Sequence, residues 1–284
     1  VSIYYVELLD VLTAAGCTVA ENSTTAGWQT RARSSGGFAA PPLGVQWHHT
    51  ASQTSPANDL SYMIDGCPDA PVGNLLLDRT GTFWPIAAGA ANTAGKGGPL
   101  TLSRGTVKTD SANSTTFAIE AANAGTGVEP WPTVQIDAYF AGSNALNELF
   151  GNLPTDVFSH ALGDGDCPGW TDRKIDPATA DTVEGPWQPR SVTSSGTWAL
   201  EDIRAECSRR AGTPPPPDLS EVDTMLHVTA PGRGATLIGP GFRHYATNDD
   251  EPIVFERAYG PPVELSDYDY DMLVAAVFVN QPPT

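Results

Sequence analysis

Apolar positions along this chain repeat with two periods. In residues 3–15, IYYVELLDVLTAA, they recur at near-helical spacing and Gly16 follows as a stop, which predicts a helix. Shorter apolar runs at 45–48, 73–78, 82–87 and 116–121 read as strands. The turn-forming DRTG at 78–81 predicts a hairpin between the second and third of them. In residues 132–150, Val134, Ala138, Ala141, Ala145 and Leu149 return to helical spacing, with Pro132 suited to a helix start. A further amphipathic helix is predicted over 198–210, ended by Gly212.

Punctuation then divides the chain. Residues 17–44 are rich in Gly, Ser, Thr and Ala, and with the first helix they form a lead-in over 1–43. GTPPPPDLSE, 212–221, holds a proline run that cannot sit in a helix and favours an extended linker. The expected organisation is a main domain over 1–211, a proline-rich linker over 212–221 and a small module over 222–284. In that module strands are predicted near 226–229, 235–238 and 253–258, and a helix over about 266–278.

Composition narrows the possible functions. The chain has 284 residues, 40% of them hydrophobic, which suits a globular protein. No stretch of 18 apolar residues occurs, so no transmembrane helix is expected. The net charge of −18 and the lack of a basic stripe argue against nucleic acid as a partner. Residues 1–7 hold no basic segment and do not read as a signal peptide. The cysteines, Cys17, Cys67, Cys167 and Cys207, include no CxxC pair, so a zinc ribbon is not expected; disulfides and buried thiols both stay open.

The histidines carry the candidate chemistry. His48 and His49 are adjacent at the end of a strand, where neighbouring side chains point to opposite faces, so one of them at most can enter a given pocket. His160 also follows an apolar run. His227 and His244 lie beyond the linker and are set aside on distance. Hydrolytic zinc takes three protein ligands and an open position. One histidine of the pair, His160 and a carboxylate or thiolate would meet that need. GDGD at 163–166 lacks the twelve-residue spacing of an EF-hand. The glycines of GRGATLIGPG, 232–241, flank a strand and do not form a nucleotide loop.

Three segments together, QWHHTAS (46–52), FAIEAANAG (117–125) and SHALGDGDCPGWTDRKIDPA (159–178), resemble the zinc-dependent N-acetylmuramoyl-L-alanine amidases of amidase type 2, which share a fold with peptidoglycan recognition proteins. The likeness covers roughly residues 40–210. It implies an α/β fold, a central mixed β-sheet flanked by helices with the zinc site at one edge, followed here by a small C-terminal α+β module. It implies His48, His160 and Asp176 as ligands of one zinc ion per chain, with His49 behind them and Cys167 as the rival third ligand. Glu120 would assist proton transfer to and from the water, and Lys174 would stabilise the oxyanion. Where many members place Tyr or His on a strand facing the metal, this chain has Asn74. ANTAGKGG, 91–98, stands for a loop that usually carries His. Asn74, Asn92 and Trp170 are the residues expected at the substrate.

The activity so implied is hydrolysis of the amide between the muramic acid lactyl group and L-alanine of peptidoglycan. A catalytic domain with a linked module and no signal peptide resembles a bacteriophage endolysin, made in the host cytoplasm and released to the wall by a holin-type route. The Lys-poor, Ala/Gly/Pro/Asp/Thr-rich composition points to an actinobacterial host. A non-catalytic peptidoglycan-binding protein of the same fold and a virion tail protein are the rival readings. The C-terminal module could bind wall polymer, mediate self-association or stabilise the enzyme.

Overall fold

The computed structural model describes residues 2–161, 169–171, 173–212, 226–231, 234–239, 242–245 and 262–264. The chain divides into two compact units, Val1–Pro214 and Pro215–Thr284.

In the first unit, a short helix α1 (Leu8–Ala14) leads to strand β1 (Thr18–Val19). The ladder continues with β2 (Val45–His49), β3 (Leu75–Leu77) and β4 (Thr82–Pro85). Between β2 and β3 lies α2 (Pro56–Ser61). A small hairpin of β5 (Leu100–Leu102) and β6 (Gly105–Val107) precedes α3 (Ala112–Thr115). Then come β7 (Phe117–Ala121), the long helix α4 (Thr133–Phe150), β8 (Val157–Ser159) and α5 (Leu200–Ala211). The main sheet has six strands in the order β1-β4-β3-β7-β2-β8. Strands β3, β7, β2 and β8 run parallel, and β4 turns back antiparallel to β3 through the expected hairpin. Asp78 builds that turn: its carboxylate accepts the Thr80 and Thr82 amides, at 2.8 and 3.1 Å. This is the expected mixed sheet with helices.

Parallel strands are buried on both faces, and all five residues of β2 and of β7 are buried. The register sorts their side chains. Val45, Trp47 and His49 pair with Phe117, Ile119 and Ala121, and Leu75 and Leu77 continue that row into β3. This face packs on α1, α4 and α5 in the main core. The other face carries Gln46, His48, Ala118, Glu120 and Leu76. Loop and short-helix residues cover it: Leu60, Met63, Ile86 and Ala87 cluster with Leu76, and Ala94 and Trp170 cluster with Phe158 of β8.

Two elements differ from the sequence reading. Helix α4 forms where expected, but the stripe that faces the sheet is Ile136, Tyr139, Phe140, Ser143, Leu146 and Phe150. Val134 is exposed, and Ala138, Ala141 and Leu149 only flank the core, because the larger side chains of the neighbouring stripe fill the space over the strands. The first helix is shorter than 3–15, because the Ile3 backbone is held in a bridge to Phe38. Elements α2, α3, β1 and the β5–β6 hairpin are too short to show a period and were not expected.

The second unit contains a sheet of four described strands, β9 (Leu226–Ala230), β10 (Gly234–Gly239), β11 (Phe242–Tyr245) and β12 (Val263–Glu264), in the order β11-β10-β9-β12. The strands expected near 226–229 and 235–238 are β9 and β10. The expected strand at 253–258, the helix at 266–278 and most of the linker lie outside the described residues.

Candidate metal centre

The carboxyl ends of parallel strands are where open α/β sheets place their sites. His48 is the fourth residue of β2, on the loop-covered face. His160 follows the edge strand β8 and extends the ladder, its N–H donating to the Trp47 carbonyl at 3.0 Å. Asp176 is brought back to both by the chain that returns from Trp170, and its backbone carbonyl accepts the Ala161 N–H at 2.9 Å. Asp176 Oδ2 lies 3.0 Å from His48 Nδ1 and 3.0 Å from His160 Nδ1. One ligand atom from each residue falls within 4.8 Å of the others, and all three residues are buried.

The protonation pattern tests whether a cation fits. His160 Nε2 lies 2.9 Å from the Ala94 carbonyl, which accepts only if that nitrogen carries the proton. In the neutral ring Nδ1 is then a lone pair aimed at a carboxylate oxygen, a repulsive contact unless a positive charge lies between them. Burial, helped by the positive charge His160 can carry, pushes His48 down to about 4, so it is neutral near pH 7. His48 Nε2 has no partner among the described residues, so there one of its nitrogens stays unsatisfied or finds a ligand. Burial alone would raise the Asp176 carboxyl, but its contacts with His160 and His48 hold it well below the usual range. Two imidazole nitrogens and a carboxylate are a donor set that suits zinc and leaves a position open.

Glu120 sits opposite His48 in the β2–β7 register, with Oε1 3.8 Å from His48 Nδ1. Burial first, then the Asp176 charge, push its carboxyl well above the usual value, and Lys174 partly offsets this. Gly73, at φ +80°, leaves the room Glu120 needs, since a Cβ there would come within 2.9 Å of its Cγ. Lys174 is half-buried and anchored by its N–H to the Trp170 carbonyl at 2.8 Å. His49 points to the helical face, where its Nδ1 accepts the Ala178 N–H at 3.3 Å and its ring lies 6.4 Å from that of Trp131.

The expected substrate residues are placed differently. Asn74 is fully buried, and its amide is used up on the backbone: Nδ2 donates to the Ala87 and Gly89 carbonyls at 3.0 and 2.8 Å, and Oδ1 accepts the Ala118 N–H at 3.0 Å. Its side chain bridges the backbone of the segment after β4 to β7 in a buried place, where the expectation put it at the substrate. Trp170 is also fully buried, with Nε1 donating to the Ala94 carbonyl at 2.7 Å and its ring 6.0 Å from that of His160. It packs beside His160 in the interior, where the expectation put it at the substrate. Asn92 is half-buried and donates to the Asp69 carbonyl at 2.8 Å. Cys167 and the GDGD run lie outside the described residues. Cys17, Cys67 and Cys207 are free thiols.

Two groups at the centre were missed. The Ala94 carbonyl sits in ANTAGKGG, where a main-chain acceptor leaves no mark in the sequence. Tyr139 reaches the His48 backbone from α4; its one signal was a hydroxyl on what proves to be the buried stripe of that helix.

Residues 38–179, half of the chain, match the family model Amidase_2, described as N-acetylmuramoyl-L-alanine amidase. No curated protein matches the chain. Among solved structures, the chain is similar to the endolysin amidase LysCS from Clostridium intestinale URNW, at 17% identity over 54% of this chain and 87% of that one, with a TM-score of 0.36. It is similar to the amidase AmiD from E. coli at 23% identity, over 49% of this chain and 54% of that one, with a TM-score of 0.37. The hydrolase AmiA from Staphylococcus aureus is 12% identical over 72% of this chain and 90% of that one, with a TM-score of 0.42. With the match spanning β2, β7, β8 and all three clustered residues, the chain belongs to the Amidase_2 family of N-acetylmuramoyl-L-alanine amidases and is a peptidoglycan amidase.

Proposed function

We propose that this amidase works with a single zinc ion held by His48 Nδ1, His160 Nδ1 and Asp176, and that it cleaves the bond between the muramic acid lactyl group and L-alanine. The observation that supports this is the convergence of two imidazole nitrogens on Asp176 Oδ2, with the far nitrogen of His160 committed to Ala94. Zinc, when bound, lowers the pKa of water and polarises the scissile carbonyl. Glu120, placed beside His48 in the β2–β7 register, receives the proton at its carboxylate and returns it to the leaving amine. The Lys174 ammonium, close enough to influence the charge of both Glu120 and His48, faces the negative charge that develops on the carbonyl oxygen. His49 lies on the other face and holds the chain after Asp176 in place through the Ala178 amide.

The setting we propose is lysis of an actinobacterial host by a phage, a reading supported by the Lys-poor, Ala- and Gly-rich composition. The direct test of the chemistry pairs metal content with cleavage. Purified protein should hold about one zinc per chain and release stem peptides beginning at L-alanine from isolated peptidoglycan, with release blocked by a chelator. His48→Ala, His160→Ala and Asp176→Ala should each lose zinc and activity. Full activity in any one of them would remove that residue from the site. Recovery of the protein from purified virions by mass spectrometry would refute the free-lysin setting and leave the chemistry untouched.

A further inference from the structure

We propose that Tyr139 is a positioning residue for the metal centre: its hydroxyl holds the backbones of β2 and β7 at the rung that carries His48 and Glu120, and so sets the spacing of ligand and base. The proposal rests on the zinc reading above.

Tyr139 projects from α4 and is fully buried. Its ring stacks on Trp47 with centroids 3.7 Å apart and planes 13° from parallel. Its hydroxyl oxygen accepts the His48 N–H at 2.8 Å and lies 2.9 Å from the His48 carbonyl and 3.0 Å from the Ile119 carbonyl, either of which takes the phenol proton. His48 and Glu120 are partners in the parallel register, and Ile119 immediately precedes Glu120. In a parallel ladder the backbone groups of one residue pair with those flanking its partner. The phenol therefore sits on the seam between the two strands, where their two reactive side chains come level.

Packing alone does not call for the hydroxyl. A phenylalanine would fill the same stack on Trp47, and the Trp47 indole is anchored separately, with Nε1 donating to Ser143 Oγ at 2.8 Å. What the hydroxyl adds is contact with polar backbone atoms of both strands, in a place where every one of them is dry. Without it, those backbone groups keep only their ladder bonds, and the rung under His48 is free to shift and carry its Cβ with it. His48 Nδ1 has to stay 3.0 Å from Asp176 and 3.8 Å from Glu120, so a small displacement is felt by ligand and base together.

The test compares Tyr139→Phe with Ser143→Ala, which loosens the same helix and the same aromatic stack without touching the His48 backbone. Zinc is titrated into metal-free wild type and both variants by calorimetry. Turnover of a soluble muramoyl peptide and urea midpoints are measured alongside. The expected result is zinc binding weaker by about tenfold or more in Y139F, with lower kcat and unchanged KM, while S143A keeps wild-type zinc affinity despite its loss of stability. Wild-type affinity in Y139F, or equal weakening in S143A, overturns the proposal. Wild type that takes up no zinc overturns the zinc reading and this proposal with it, so the two failures look different. One readout needs no variant. In labelled wild-type protein the His48 amide should exchange as slowly as core amides and its resonance should move on zinc addition; exchange at the rate of exposed loop amides overturns the proposal.

Discussion

Asn74→Ala should unfold the amidase unit more readily while leaving substrate affinity alone. The Asn74 side chain makes three hydrogen bonds, two donated to carbonyls of the segment after β4 and one accepted from Ala118 at the start of β7. Alanine removes all three and leaves two carbonyls and one N–H without their side-chain partner in a fully buried place. An orphaned buried partner costs about 1–3 kcal/mol, so three of them near the lower end of that range give a loss of about 3–5 kcal/mol. For a unit of this size that lowers the melting temperature by roughly 10 °C. The assay is urea denaturation followed by tryptophan fluorescence. The midpoint should fall with little change in slope, and the protein that remains folded should keep its KM for muramoyl peptides. A loss below about 1 kcal/mol together with a raised KM would refute this reasoning and return Asn74 to the substrate groove. Asn74→Asp should be no milder, because it keeps the acceptor for Ala118 but turns a carboxylate oxygen toward the two carbonyls.

Glu120→Gln should keep zinc and lower kcat by about 10²- to 10⁴-fold, the usual range for a lost general base; activity within twofold of wild type would exclude it from proton transfer. Trp170→Phe should weaken zinc binding and cost about 1–2 kcal/mol, because the Ala94 carbonyl that orients His160 loses its indole donor; a raised KM alone, with zinc affinity intact, would favour a substrate contact after all. The metal-free protein should lose stability as pH falls from about 6.5 toward about 4, because the unfolded chain protonates His48 in that range while the folded chain, with its pKa held to about 4, does not. Glu120 acts in the opposite sense, since its raised pKa gives stability at low pH that is lost as pH rises through the folded value, so the measurement belongs in the E120Q background with chelator present. A flat profile there, by urea midpoints, would mean that His48 is not held neutral.

The sequence made much of the centre legible because strand period and chemistry coincide in β2 and β7. Two adjacent histidines must part to opposite faces, and they do, with His48 beside Asp176 and His49 beside Trp131. An acidic residue in the apolar run FAIE stood out as costly to bury, and it lies beside His48. Asn74 and Trp170 were expected at the substrate, and both are buried with their polar atoms on main-chain partners. The supporting carbonyl of Ala94 could not be read at all, since every residue has one. In α4 the period was right and the stripe was wrong: the small residues at helical spacing flank the core, and Ile136, Tyr139, Phe140 and Ser143 fill it.

A doublet of histidines on a strand is also a message with an ambiguous reading frame. Slide β2 by one position, and every side chain changes face. His49 would then be offered to Asp176 and His48 to Trp131, so an imidazole reaches the metal side in either frame. The doublet cannot report its own error. Its neighbour can: the same slip would draw Trp47 out of its stack on Tyr139 and push Gln46 into the apolar layer against α4. Trp47 thus serves as the parity bit of this strand, and the aromatic stack rejects a misaligned sheet that the metal ligands alone would accept.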